Sequence, residues 1–284
     1  MSLLSNRRVH LLVQPTAVRA SLWRGWPKSS KVAEQVRDGG IAAAGDVLAA
    51  LAGQAPVAGA SLHVELADAL VHFDVASGDF AGKSAHQLSL FASACVAELL
   101  GEQAKDCTVR WQLQRDERHL LLCATPNAVI SALADAAIAQ RLQLASLSPS
   151  FAAQWNRHAR GRWPDAAVFA VASTNNTTIA CVRHGVITTM SAGPGSSAGV
   201  DARRAAALSS VIGDAPLDLH VDRLLAGLGA DGEQSLVYLL VTAAKPQPAL
   251  SKRWRIVSTE PTLAADPAPD SARARLGRRW KNGA

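Results

Sequence analysis

The stretch "FAVASTNNTTIACVRHGVITTMSAGPG", Phe169–Gly195, decides how the chain is read. An apolar strand runs into a turn of small polar residues, a second strand follows, and Gly185 then separates it from a third. A turn of this kind either cradles a phosphate through its backbone N–H groups or simply closes a hairpin. Asn175 and Asn176 tolerate left-handed backbone, which suits a hairpin tip. The strands are expected near Ala167–Ala172, Thr177–Arg183 and Val186–Ser191. A helix at Asp201–Ile212, a strand at Leu217–His220, a short helix to Leu228 and a strand at Ser235–Thr242 should follow. The pattern is β-β-β-α-β-α-β.

The N-terminal half mirrors it. In "RVHLLVQPTAVRASLWRGW", Pro15 marks a turn between strands Val9–Val13 and Ala17–Trp23. Ile41, Ala44, Val47, Leu48 and Leu51 share a helix face, with Asp46 opposite. "SLHVELADALVHFDV" reads strand, turn, strand. Residues His86–Leu100 form an amphipathic helix stopped by Gly101, with Leu88, Phe91, Ala92, Cys95, Val96 and Leu99 facing a core. "CTVRWQL" and "RHLLLCA" pair across the charged turn "QRDE". Beyond them Thr125 caps a helix, Pro126 takes its first position, Leu142–Leu147 is a strand, and Ser148 and Pro149 open another helix.

Composition sets the class. Of 284 residues, 49% are hydrophobic and 18% charged, which places the chain among globular proteins. The net charge of +6 gathers at the ends, with Arg273, Arg275, Arg278, Arg279 and Lys281 around Trp280 in the tail. A solvated surface accounts for this better than a nucleic-acid footprint. Cys95, Cys107, Cys123 and Cys181 lie far apart without a C-x-x-C pair, so neither a disulfide nor a metal site is expected. The eight histidines show no H-E-x-x-H spacing. The longest apolar run, from Ser235, is half of what would cross a bilayer, and the N-terminus lacks a convincing signal peptide. The cysteine usage suits a reducing cytoplasm, which is the expected location.

Two passages carry a family resemblance. "RHLLLCATPNAVISALADAAIAQRLQLASLSPSFAAQWN" resembles the return from an inserted subdomain to a first lobe, and "FAVASTNNTTIACVRHGVI" resembles the hairpin opening a second lobe. Together they resemble the actin-like ATPase superfamily, and within it the PilM proteins of type IV pilus assembly and the cytoplasmic part of the GspL/MshI proteins. The fold implied is α/β: two RNase H-like β-β-β-α-β-α-β lobes with a small α/β subdomain inserted in the first. The first lobe spans 7–160 with its insert at about 68–141, the second spans 161–258, and 259–284 form a disordered basic tail. The resemblance implies a scaffold that grips a cytoplasmic peptide of an inner-membrane pilus or secretion protein, with a cytoplasmic motor ATPase as a further partner.

An active member needs glycine-rich turns around the phosphates and carboxylates for Mg²⁺. The first turn here is Gln14-Pro15-Thr16, with neither glycine nor acid, and Pro15 has no N–H. The second is Ser173-Thr174-Asn175-Asn176, a vestigial phosphate turn without the family's Asp-x-Gly. The expectation is a non-catalytic protein without cofactor. ATP with Mg²⁺ is the alternative, and Asp74, Asp165 and Asp231 are then the acids to place. The glycine-rich "SAGPGSSAG", Ser191–Gly199, reads as a connector. Arg278, Arg279, Trp280 and Lys281 are candidates for meeting a partner or anionic lipid, and a nucleic-acid module acting through the same tail is a further alternative. Trp23 and Trp26 are expected in the core.

Overall fold

A computed structural model describes residues 7–25, 29–158, 165–172, 176–192, 237–242 and 254–258. The first five-stranded sheet contains β1 (Arg7–Val13), β2 (Ala17–Arg24), β3 (Ser30–Asp38), β4 (Ser61–Leu66) and β8 (Gln143–Pro149), in the order β3-β2-β1-β4-β8. β1 pairs antiparallel with β2 and parallel with β4, and β4 pairs parallel with β8. Buried and exposed residues alternate along β1. Val9, Leu11 and Val13 are buried while His10 is exposed, so one face of the sheet meets the core. That core is completed by α1 (Ala44–Gln54), which buries Ala44, Val47, Leu48 and Leu51, and by α3 (Asn127–Ala139), which buries Leu133, Ala136 and Ala137.

The second five-stranded sheet repeats this topology with β9 (Ala166–Ala172), β10 (Thr177–Arg183), β11 (Val186–Ala192), β12 (Val237–Thr242) and β13 (Trp254–Ser258). Its order is β11-β10-β9-β12-β13. Two antiparallel pairs lie on one side of β9 and two parallel pairs on the other, as around β1. Inserted between β4 and β8 in the chain is a three-stranded sheet, β5-β7-β6, from β5 (His72–Ser77), β6 (Cys107–Leu113) and β7 (His119–Pro126). It carries α2 (Ala85–Leu100). The described residues separate into two compact units: those up to Val71 with Thr125–Ala153, and His72–Ala124 with those from Gln154. The insert thus groups with the second sheet.

Several expectations shift. β3 was not anticipated: "SKVAEQVRD" is an edge strand, nearly all exposed, and has no apolar run to announce it. The strand at Val237–Thr242 is the fourth of its sheet rather than the last, because it pairs directly with β9, and the unanticipated β13 is the fifth. The elements expected at Asp201–Ile212, Leu217–His220 and up to Leu228 lie outside the described residues. Thr125 sits in β7, and Pro126 occupies the cap position of α3. Along α2, Leu88, Ala92, Val96 and Leu100 are buried, whereas Phe91 and Leu99 are exposed. A three-stranded sheet is too narrow to cover the broad apolar face of that helix. Its ends are as the sequence implies. Ser84 and Gln87 form a reciprocal capping box, and Gly101 with φ 58° ends the helix.

Candidate functional site

In open α/β sheets, ligands bind beyond the carboxyl ends of the parallel strands. Here that edge is formed by the ends of β1 and β4, tied together by the Ala67 N–H donating to the Val13 carbonyl at 2.8 Å. The turn between β1 and β2 lies at this edge, and its polar groups are turned inward. The Gln14 N–H donates to the Ala17 carbonyl at 2.8 Å, and the Thr16 carbonyl accepts the Gly39 N–H at 2.9 Å. Pro15 has no N–H. Gly40, at φ +59°, lies so close that a Cβ there would stand 2.3 Å from the Pro15 carbonyl oxygen. The turn is a tight hairpin tip packed under the start of the first helix. It presents carbonyls to backbone neighbours rather than N–H groups to an anion.

The acid found at this edge is one the sequence reading passed over. Asp68 directly follows β4 and is 5% exposed. Its Oδ1 accepts the Phe151 N–H at 2.8 Å, so it caps the first turn of α4 (Ser150–His158). The signal in the sequence was an acid flanked on both sides by apolar residues in "LADAL", Leu66–Leu70. Of the three acids singled out, Asp74 lies in β5 and accepts the neighbouring Val75 N–H at 2.7 Å. Asp165 precedes β9 and meets His184 in an exposed pair at 3.3 Å. It is therefore at the opposite end of β9 from the second turn, about 23 Å away along seven extended residues. Asp231 lies outside the described residues. Asp74 and Asp165 belong to no cluster of three or more His, Cys, Asp or Glu side chains among the described residues.

At the second turn, Ser173, Thr174 and Asn175 lie outside the described residues. Asn176 is 7% exposed, which differs from the exposed tip that a plain hairpin would give. Thr178, two residues on, is buried, and its hydroxyl has no hydrogen-bond partner among the described residues. Of "SAGPGSSAG", only Ser191 and Ala192 are described, both in β11. Arg278, Arg279, Trp280, Lys281 and Trp26 lie outside the described residues, while Trp23 is buried, as expected. Among the described residues no group of three or more His, Cys, Asp or Glu side chains converges on a metal position. No described helix is long and apolar enough to cross a membrane.

The insert offers a surface of a different kind. Leu90, Phe91 and Leu99 of α2 are exposed, with Leu90 at 60%. Beside them is a pocket of about 230 Å³ lined by Ser89, Ser93, Ala104, Cys107, Val109 and Trp111. The Trp111 indole N–H donates to Ser89 Oγ at 2.9 Å. Burial and the nearby Asp106 raise the Cys107 thiol pKa, which keeps it protonated at neutral pH. Small hydroxyls and apolar walls suit an apolar side chain with few polar anchors.

A strand order repeated around two central strands, with an α/β insert after the fourth strand of the first repeat, has close counterparts among solved structures. The chain is similar to the cytoplasmic domain of EpsL, an inner-membrane component of the type II secretion system of Vibrio cholerae. The TM-score is 0.53 at 13% identity, covering 89% of this chain and 90% of that one. It is similar to the PilM–PilN type IV pilus biogenesis complex at TM-score 0.54 and 13% identity, covering 83% and 81%. A Bacteroides thetaiotaomicron protein with an actin-like ATPase fold matches at TM-score 0.54 and 7% identity, covering 86% and 84%. The fold is the actin-like one. No protein-family model and no curated protein matches the sequence. The actin-like fold houses both enzymes and scaffolds, so function has to be argued from the site.

Proposed function

We propose that this chain is a non-catalytic actin-like scaffold of a type IV pilus or type II secretion assembly, binding a cytoplasmic peptide of an inner-membrane partner. The observation that carries the non-catalytic part is the first turn. A phosphate cradle needs inward-facing N–H groups and an acid for the metal. This turn has a proline, a carbonyl already engaged by Gly39 and a backbone closed off by Gly40. Asp68, the acid at that edge, is committed to capping α4. The assembly part rests on the likeness in fold to EpsL and to PilM in complex with PilN. The exposed Leu90 and Phe91, adjacent on α2, are the surface the insert offers to an amphipathic peptide. A cytoplasmic motor ATPase is the second partner of this reading.

Calorimetry with Mg²⁺–ATP is expected to show no saturable binding. Micromolar affinity that depends on Mg²⁺ would overturn the non-catalytic reading. For the partner, affinity purification from inner membranes should retain a pilus or secretion protein. A synthetic peptide of its cytoplasmic segment should bind the wild type and lose affinity tenfold or more for Leu90→Glu/Phe91→Glu. Equal binding to the double variant would remove α2 from the interface.

A second reading has one observation in its favour. The Thr178 hydroxyl, without a partner among the described residues, and the buried Asn176 stand beside the second turn, where an actin-like ATPase would hold phosphate. Thr178→Val distinguishes the two readings: it leaves a scaffold's partner affinity unchanged and abolishes any nucleotide affinity the wild type has.

A further inference from the structure

The tip of the β6–β7 hairpin makes a contact that the proposed function does not use. The backbone of Gln114 is fully committed within its own turn. Its N–H donates to the His119 carbonyl at 2.9 Å, and its carbonyl accepts the Glu117 N–H at 3.1 Å. Its side chain reaches across to β11. The Ile187 N–H donates to Gln114 Oε1 at 2.8 Å, and Gln114 Nε2 donates to the Ile187 carbonyl at 2.5 Å.

β11 is the edge strand of its sheet. In an antiparallel ladder, a residue that exchanges both of its backbone bonds exchanges them with one neighbour. The Gln114 carboxamide has the donor and acceptor of a peptide group in the same plane, so it completes that rung without a strand. The next residue tightens the junction. Arg115 lies over Gly185, where a Cβ would stand 2.9 Å from the guanidinium Nη2. His184 and Gly185 form a two-residue turn with φ 50° and 71°, the backbone a tight hairpin requires. Two hairpin tips, one from the insert and one from the second sheet, are thus clasped together, and β5 runs close beside β11.

We propose that Gln114 is a latch. By standing in for a strand neighbour on the edge of β11, it fastens the inserted three-stranded sheet to the second five-stranded sheet. Its release exposes the Ile187 backbone groups at that edge and loosens the two hairpin tips, while β5 still packs beside β11.

Amide hydrogen exchange on the full chain tests this, comparing the wild type with Gln114→Ala and Gln114→Asn. The asparagine keeps the carboxamide but is one methylene too short to span the gap. The Ile187 amide is expected to be protected in the wild type and to exchange at least tenfold faster in both variants. Val9 and Leu11 amides in β1 should be unchanged, and tryptic cleavage after Arg115 should quicken. An Ile187 amide that is unprotected in the wild type, or equally protected in the variants, overturns the latch. If the alanine variant fails to fold, the asparagine variant decides by the same readout. Neither readout involves a partner peptide or a nucleotide, so the outcome is independent of the proposed function.

Discussion

The two five-stranded sheets share one topology and are buried differently. In β1 the pattern alternates, with Leu11 buried and Leu12 half-exposed beside it. In β9 the run from Ala166 to Val171 is buried without a break, and β10 is buried from Thr178 to Val182. A strand covered on one face alternates, while a strand covered on both reads as a continuous apolar run. The duplicated fold therefore persists under two different patterns. What the repeats share is connectivity and register around a central strand, not the sequence of the strands.

The difference is sharpest when adjacent residues are truncated. In the second sheet, Phe169→Ala should destabilise by about 3–5 kcal/mol and its neighbour Val168→Ala by about 2 kcal/mol, since both faces lose packing. In the first sheet, Leu11→Ala should cost about 2–5 kcal/mol and Leu12→Ala less than about 1 kcal/mol. Urea unfolding measures all four. Comparable losses at Leu11 and Leu12 would mean that the first sheet is covered on both faces in solution.

The glycines of the two hairpin regions give the next contrast. A Cβ at Gly40 meets the rigid Pro15 carbonyl oxygen at 2.3 Å and takes a left-handed backbone, so Gly40→Ala should cost about 3 kcal/mol or more. At Gly185 (φ +71°) the obstacle is the flexible end of Arg115, which can move aside. Gly185→Ala should cost about 1–2 kcal/mol, and Arg115→Ala in the same chain should recover part of it. If the two glycine variants were equally destabilised, the first turn would not be closed against Gly40, and the argument against a phosphate cradle would weaken. A smaller effect is expected at the helix cap. Asp68→Asn keeps an oxygen for the Phe151 N–H but gives up its charge, and should cost about 1–2 kcal/mol.

These cases also show what could be read from the residues. Strands with dense apolar content, such as β7 and β9, and an amphipathic helix stopped by a glycine, such as α2, are local signals. They were legible, and with them the actin-like plan. β3 was hidden because an edge strand rich in charge looks like a loop. β13, only five residues long and with Arg255 at its second position, was missed for a similar reason. The site was less legible still. Pro15 announced the loss of one N–H, but the contact of Gly40 with Pro15 and the capping of α4 by Asp68 each join residues far apart in the chain. Periodicity carries no trace of such pairs. Gln114 looked like one more polar turn residue, because its partner is a backbone group 73 residues away.

The smallest expected effect concerns pH, at the same hairpin tip that carries Gln114. Burial by itself would raise the Asp116 carboxyl pKa. Its hydrogen bond with the His119 ring, the backbone N–H groups of Arg118 and His119, and the charge of His119 outweigh that and hold it below the usual aspartate range. A carboxyl whose pKa is lower when folded than when unfolded contributes stability above its unfolded value, near pH 4. That contribution is lost as the pH falls from there through the depressed folded value. Asp116→Asn should therefore be less stable than the wild type at pH 6, with the gap closing below pH 4. A gap that persists unchanged at pH 2.5 would assign the effect of Asp116 to turn geometry, because removing the charge by protonation would then have done nothing.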